Sequence, residues 1–246
     1  PQPAASRRGI SATISHMTEH KVDTALWATR ALTLVFSISY FLPFFSSESS
    51  YQRVLMSNAA TSALRLHQRV RTVTLTRQFL EQVIAEDSAH YLLYSLNFMA
   101  CGPVTLVLVP VMLFALLHFA SYTLVLFDVT GENNALAPRF LISLVEYQQR
   151  NILRAAAFVE IFLMPFSIIN LFLGRVNLVT PIVFFQFLSL RYQSRRNPYT
   201  RSMFHELRLS AEHMAAKPFV PAAVRSLIHT LMDRIGTLAP AVPQQQ

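Results

Sequence analysis

Few residues in this chain have the type and spacing that chemistry needs. Glu160 is the sharpest, a carboxylate within the apolar run Ala155 to Leu173. Charges inside such runs are costly and commonly functional. Two readings are open for it: a transport site built with Arg154, or a hydrogen-bonding residue between helices near the membrane boundary. Arg30 is the one charge in another apolar run, about two turns from its start, where a long side chain can snorkel back to the headgroups. Glu86, Asp87 and His90 fall within one helical turn. They could hold a cation, but one turn offers a metal few ligands, so capping and hydrogen bonding at the mouth of a helical hairpin is the expectation. His205-Glu206 is half of a zinc-protease motif, and position 209, where the second histidine belongs, is Leu209. His118 is expected to be a neutral, hydrogen-bonded packing residue. With no glycine-rich phosphate loop, no metal-ligand spacing and no nucleophile–base pattern, the expectation is no catalytic residue, no metal, no cofactor and no enzyme.

The other candidate residues are cationic. Arg65, Arg69, Arg71 and Arg77 form one cluster, and Arg191, Arg195, Arg196 and Arg201 a second. A net charge of +8 suits either nucleic acid or an anionic membrane surface. Composition decides for lipid: 52% of residues are hydrophobic and 14% charged, against about 25% charged in soluble domains. Direct nucleic-acid binding is therefore not expected. Each basic residue near anionic lipid is worth about 1 kcal/mol, and the positive-inside rule places both clusters in the cytosol. Cys101 is the single cysteine, so no intramolecular disulfide frames the fold.

These residues must be carried by helices. Ser88 to Phe127 is a run of 40 residues without Asp, Glu, Lys or Arg. As one helix it would be about 60 Å long, twice the hydrocarbon thickness, so it must break, and Gly102-Pro103 supplies the break. Either both halves form a hairpin entering from one face, or Ala89 to Cys101 lies at the interface and Val104 to Phe127 alone spans. Further apolar segments cover about 24–45, 155–173 and 176–190, each with a proline (Pro43, Pro165, Pro181). Trp27 suits an interfacial anchor. Residues 46–87 are too polar to span and belong at the surface or interface. Residues 1–15 and 240–246 read as flexible tails, 16–190 as the membrane domain and 191–239 as a basic amphipathic C-terminal region. Within the last, Val224, Leu227, Ile228, Leu231, Ile235 and Leu238 fall on one face of a helix from Pro221 to Leu238, the pattern of a membrane-binding amphipathic helix. The fold class is all-α: a multi-pass membrane protein with proline-broken hairpins and amphipathic interfacial helices. The side on which the N-terminus lies is left open.

Several stretches resemble the transmembrane protein 33 family, which takes in Krüppel homolog 2 and fungal nuclear-pore-associated membrane proteins. They are Lys21-Val-Asp-Thr-Ala-Leu-Trp27, Thr61-Ser-Ala-Leu-Arg-Leu-His-Gln-Arg69, Glu86-Asp-Ser-Ala-His-Tyr-Leu-Leu-Tyr-Ser95, Glu160-Ile-Phe-Leu-Met-Pro165, Arg191-Tyr-Gln-Ser-Arg-Arg-Asn-Pro-Tyr199 and Phe204-His-Glu-Leu-Arg208. The resemblance runs over about residues 17–240. It implies a protein of the endoplasmic reticulum membrane and nuclear envelope that shapes or organises tubular membrane. The partners it implies are reticulon-type proteins, nuclear-pore components and the stress-sensor kinase of the unfolded-protein response. It also implies a membrane-binding C-terminal helix. The residues themselves admit three functions: membrane shaping and scaffolding, regulatory adaptation of other membrane proteins, or a channel or transporter using Glu160.

Overall fold

A computed structural model describes residues 9–70, 76–131, 135–194, 197–217 and 221–236. Among them every regular element is helical. The order is α1 (Ile10–Glu19), α2 (Lys21–Phe41), α3 (Ser47–Arg69), α4 (Arg77–Ile84), α5 (Asp87–Met99), α6 (Thr105–Thr130), α7 (Leu136–Ile142) with a π-helical turn at Ser143–Tyr147, α8 (Gln149–Phe172), α9 (Val179–Gln193), α10 (Tyr199–Ala215) and α11 (Ala222–Gly236). Two of them, α6 and α8, are long and apolar enough to cross a membrane.

Three helical hairpins organise the chain. In the first, α2 and α3 run antiparallel, joined at Leu42–Ser46, where Pro43 cannot continue α2 and Ser46 caps α3 by accepting from the Ser49 N–H (3.4 Å). The pairs Thr29–Thr61, Thr33–Ser57 and Ser39–Ser50 fix their register, with hydroxyl contacts of 2.8 Å for the first and 3.0 Å for the last. The second hairpin is the long charge-free run. It breaks at residues 100–104, as Gly102-Pro103 requires, and α5 folds back on α6 through the Tyr94 hydroxyl, which donates to the Val107 carbonyl (2.7 Å). The third joins α8 to α9 through residues 173–178, where Gly174 takes a left-handed φ of 69°. All three turns lie at one end of the bundle: Tyr40 bonds Thr105 (2.8 Å), Gln52 donates to the Met99 carbonyl (3.0 Å) and Asn97 to the Thr180 carbonyl (3.1 Å). We call this the turn end. The opposite, open end holds α1, the start of α2 and the end of α6, tied by Thr13–Thr130 and Thr24–Tyr122. There Gly131, at φ 86°, terminates α6.

The core is aromatic. Tyr51, Tyr94, Phe98, Phe184 and Phe187 are buried together, with Phe98 and Phe184 5.4 Å apart edge to face. Burying such rings is a large apolar contribution with preferred geometry.

Four expectations are corrected here. The tail expected over residues 1–15 is helical from Ile10 onward. Residues 46–87 do not all lie at the surface: Tyr51, Val54 and Leu55 on α3 are fully buried, because α3 is wedged between α2 and α5. Pro43 lies outside α2 in the turn, and Pro181 sits in the first turn of α9, where it starts the helix instead of kinking it. Pro110 and Pro165 are the prolines inside helices. The C-terminal tail 240–246 lies outside the described residues.

Candidate functional site

The chemistry collects around the start of α5 and the middle of α8. Glu160 is the twelfth of 24 residues in α8 and is fully buried. Its face of the helix also carries Ala156, Ala157, Leu163, Ser167 and Asn170, so the helical period turns it inward with the small residues that let helices approach. Arg191 of α9 reaches it with two contacts, Nε to Oε2 at 3.2 Å and Nη2 to Oε1 at 3.4 Å. The Tyr91 hydroxyl donates to the same carboxylate. On its other side Arg191 Nη1 lies 3.3 Å from Asp87 Oδ1, which also accepts from Ser194 Oγ at 3.0 Å. The guanidinium stacks over Tyr91 and Phe114, at 5.3 and 5.7 Å from their ring centres. One cation thus bridges two carboxylates from two other helices, and each partner lowers the cost of burying the rest.

Arg191 was expected on the basic cytosolic face, and that reading is corrected: it is 1% exposed. It follows a charge-free stretch and so reads as a flank. Yet Phe184, Phe187, Leu188 and Arg191 fall at i, i+3, i+4 and i+7, one buried stripe of α9. Arg30 is corrected in the same way. It does not snorkel outward; it is 9% exposed and shares the inward stripe of Leu26, Thr33 and Ser37. The periodicity of each helix was the signal that could have found both. Tyr91 was missed as a partner of Glu160, and Asp87 as a partner of Arg191, because both lie on another hairpin.

The other residues are placed as follows. Arg154 does not join Glu160; it pairs with Glu206 of α10 at 2.7 Å, which also gives the false zinc motif His205-Glu206 its actual role in packing α10 on α8. Arg69 pairs with Glu86 at 3.1 Å. Glu86 and Asp87 therefore each take one arginine, Arg69 from the α3 cluster and Arg191 from the α9 cluster, so members of the two clusters meet at the start of α5. Arg77 is exposed and pairs with Glu81 at 3.0 Å; Arg201 is exposed and donates to the Tyr192 carbonyl (3.4 Å from Nε). On α10 the half-exposed Arg208 is held above its ordinary pKa by its hydrogen bond to Glu212 (2.7 Å). Arg71, Arg195 and Arg196 lie outside the described residues. His90 is buried, with Nε2 2.7 Å from the Ile84 carbonyl and Nδ1 3.7 Å from Asp87. His118, expected to be a neutral, hydrogen-bonded packing residue, is exposed at the rim of a cavity of about 150 Å³ lined also by Arg30, Arg65, Asp87 and Arg191. Trp27 stacks on Phe119 (5.6 Å) and donates to Thr123 (3.0 Å), an anchor to α6. On α11, Ile228 is half-buried; Val224, Leu227, Leu231 and Ile235 sit on the same helix with side chains outside the described set, and Leu238 lies beyond it.

The two ends differ mainly in charge, since α1 and α7 at the open end also expose Ile10, Leu136 and Phe140. At the turn end Phe44 is 88% and Phe172 84% exposed, and Phe45, Leu173, Leu178 and Val179 are exposed beside them. Arg175 and Glu48 are the charges near these turns. Apolar surface this dense is out of place in water.

Hairpins of this kind, with two membrane-length helices, proline and glycine turns and a buried ion pair, define a multi-pass helical membrane protein. The family model for Transmembrane protein 33/Nucleoporin POM33 matches residues 5–241. The chain is 46% identical to human Transmembrane protein 33 over 94% of both chains. It is 45% identical to Drosophila melanogaster Krueppel homolog 2, over 92% of this chain and 82% of that one. It is also 36% identical to the Caenorhabditis elegans Transmembrane protein 33 homolog, over 92% and 85%. The chain belongs to the transmembrane protein 33 family. No solved structure matches it.

Proposed function

We propose that this protein is a non-enzymatic shaper and scaffold of endoplasmic reticulum and nuclear envelope membrane, inserted from the cytosolic face. The observation that carries the reading is the contrast between the two ends. The first and third turns present exposed phenylalanines, Phe44, Phe45 and Phe172, while Arg69 and the start of α1 lie away from them. Apolar tips favour lipid by about 25 cal/mol for each Å² removed from water, and the basic end is drawn to anionic headgroups. The α5–α9 pair supports a wedge. These helices have 13 and 15 residues, about 20 Å of length, and reach only from the turn end to the level of Glu160. The amphipathic α11, lying in the headgroup plane, would add area to the cytosolic leaflet alone. Scaffolding of reticulon-type proteins, nuclear-pore components and the stress-sensor kinase is supported by the family resemblance, and for the pore by the name POM33.

The test is reconstitution of the full chain into vesicles with imaging of their shape. Tubules are expected with wild type, and Phe44→Glu/Phe172→Glu should abolish them while the protein still pellets with the vesicles. Round vesicles at every protein density would sink the reading. A second reading, a regulatory adaptor without shaping activity, is favoured by Leu209 and Met214, both exposed on α10. It expects Leu209→Glu/Met214→Glu to abolish partner capture with tubulation unchanged.

A further inference from the structure

We propose that the cavity between α2, α3, α5 and α6 binds a phosphate-bearing anion, either the headgroup phosphate of an anionic phospholipid or a free organic phosphate, held between Arg30 and Arg65. The inference is independent of whether the protein bends membrane.

Two cations line this cavity without a carboxylate of their own. Among the described residues no ion pair involves Arg30 or Arg65, whereas Arg69, Arg77, Arg191 and Arg201 are each paired or bonded. Arg30 is nine-tenths buried and lines the cavity. Holding an unpaired guanidinium there is costly unless something anionic compensates it. Arginine suits this task, because its planar fork matches phosphate oxygens in a bidentate way.

The carboxylates facing the site do not cancel these charges. Asp87 is engaged by Arg191 at 3.3 Å and Ser194 at 3.0 Å, and Glu160 is held behind Arg191 by two contacts. Asp23, two turns from Arg30 on α2, acts on both arginines and Glu86 on Arg65 only through longer-range attraction; neither makes an ion pair with them, and Glu86 is engaged by Arg69 at 3.1 Å. The wall also supplies a neutral hydroxyl. Ser88 lines it in the first turn of α5, whose N-terminal end carries positive dipole character.

Size narrows the ligand. About 150 Å³ is well below the roughly 300–1,000 Å³ of sites for drug-sized molecules. It takes a phosphate group and not a nucleotide cofactor. Exposed His118 and half-exposed Arg65 mark the rim through which the rest of the ligand would leave.

The test uses the full chain in neutral detergent, with thermal unfolding followed against dioctanoyl phosphatidate, dioctanoyl phosphatidylcholine and inorganic phosphate. Saturable stabilisation by phosphatidate is expected. Arg30→Gln or Arg65→Gln should weaken it roughly tenfold or more, the effect of losing one charge-assisted hydrogen bond. Arg77→Gln should leave it unchanged. If Arg30→Gln does not fold, the half-exposed Arg65→Gln carries the test. Stabilisation by phosphatidate alone assigns the lipid source, and stabilisation by inorganic phosphate as well assigns the free anion; both support the site when the variants lose them. Equal effects of phosphatidylcholine and phosphatidate, no saturable effect of either phosphate probe, or wild-type affinity in Arg65→Gln would overturn it.

Discussion

The seam between α2 and α3 is lined by small hydroxyl side chains, whereas the seam joining α5, α8 and α9 is lined by aromatic rings around a single bridging cation. Both are buried and both are polar, but they fail differently. On the first seam most hydroxyls also bond their own helix: Thr33 donates to the Thr29 carbonyl (2.9 Å), Ser37 to that of Thr33 (2.7 Å) and Thr61 to that of Ser57 (2.8 Å). A lost partner across the seam leaves a satisfied group behind. On the second seam Arg191 has no such local refuge, and Glu160 depends on Arg191 and Tyr91. Redundant polar contacts make an adaptable interface, and a lone ion cluster makes an all-or-none one.

The sharpest way to break this contrast is Arg191→Met, which leaves Glu160 buried and uncompensated. A loss of about 3–5 kcal/mol is expected in unfolding from detergent micelles. The double variant Arg191→Met/Glu160→Leu should recover most of it, because the penalty belongs to the orphaned charge and not to the missing pair. If the double variant is as unstable as the single, geometry and not charge holds this seam.

Tyr91→Phe comes next. It removes one donor from Glu160 while keeping the ring against Phe114 (5.0 Å) and beneath the Arg191 guanidinium. The expected cost is about 1–3 kcal/mol, that of a charge-assisted bond whose acceptor keeps another partner. A result indistinguishable from wild type would mean that Arg191 alone satisfies the carboxylate.

On the other seam, Thr33→Val and Ser57→Ala are each expected to cost about 0.6 kcal/mol, the usual value for hydrogen bonds between membrane helices. A double-mutant cycle on the pair checks it. Coupling of 2 kcal/mol or more would erase the distinction between the seams, since about 1.7 kcal/mol is the largest value commonly found for such bonds.

The two seams also differ in how far the amino-acid sequence discloses them. The break within 88–127 was readable because forty uncharged residues exceed one span and Gly102-Pro103 is a local breaker, while the choice between a hairpin and an interfacial half was left open. Glu160 was readable as an oddity for the same local reason. Its partners were not, because the spacing from residue 91 to 160 to 191 is set by how three hairpins stack, and no short-range pattern encodes that. Arg30 and Arg191 stand near the edges of apolar runs, so counting charges assigns them to the surface. Helical phase assigns them to the interior, and phase prevails wherever a neighbouring helix supplies a partner or a cavity. The hydroxyls of α3 helped make residues 46–87 look too polar for the core. Paired across a seam, they are what allows α3 to be buried.

The smallest effect is expected where the chemistry is the same and the surroundings are not. Arg77 and Glu81 form a guanidinium–carboxylate contact at 3.0 Å, as short as the 3.2 Å between Arg191 and Glu160. Their side chains are 93% and 63% exposed, against 1% and 0%. In water the Coulomb gain is screened, and each freed group is solvated at once. Arg77→Gln should therefore cost no more than about 0.5 kcal/mol, and less still at high salt. Measured beside Arg191→Met in one detergent, the pair of variants isolates burial as the variable. If Arg77→Gln costs as much as the buried change, α4 is docked on a partner or on lipid that excludes water, and the distinction between a structural interior and a solvated open end must be redrawn.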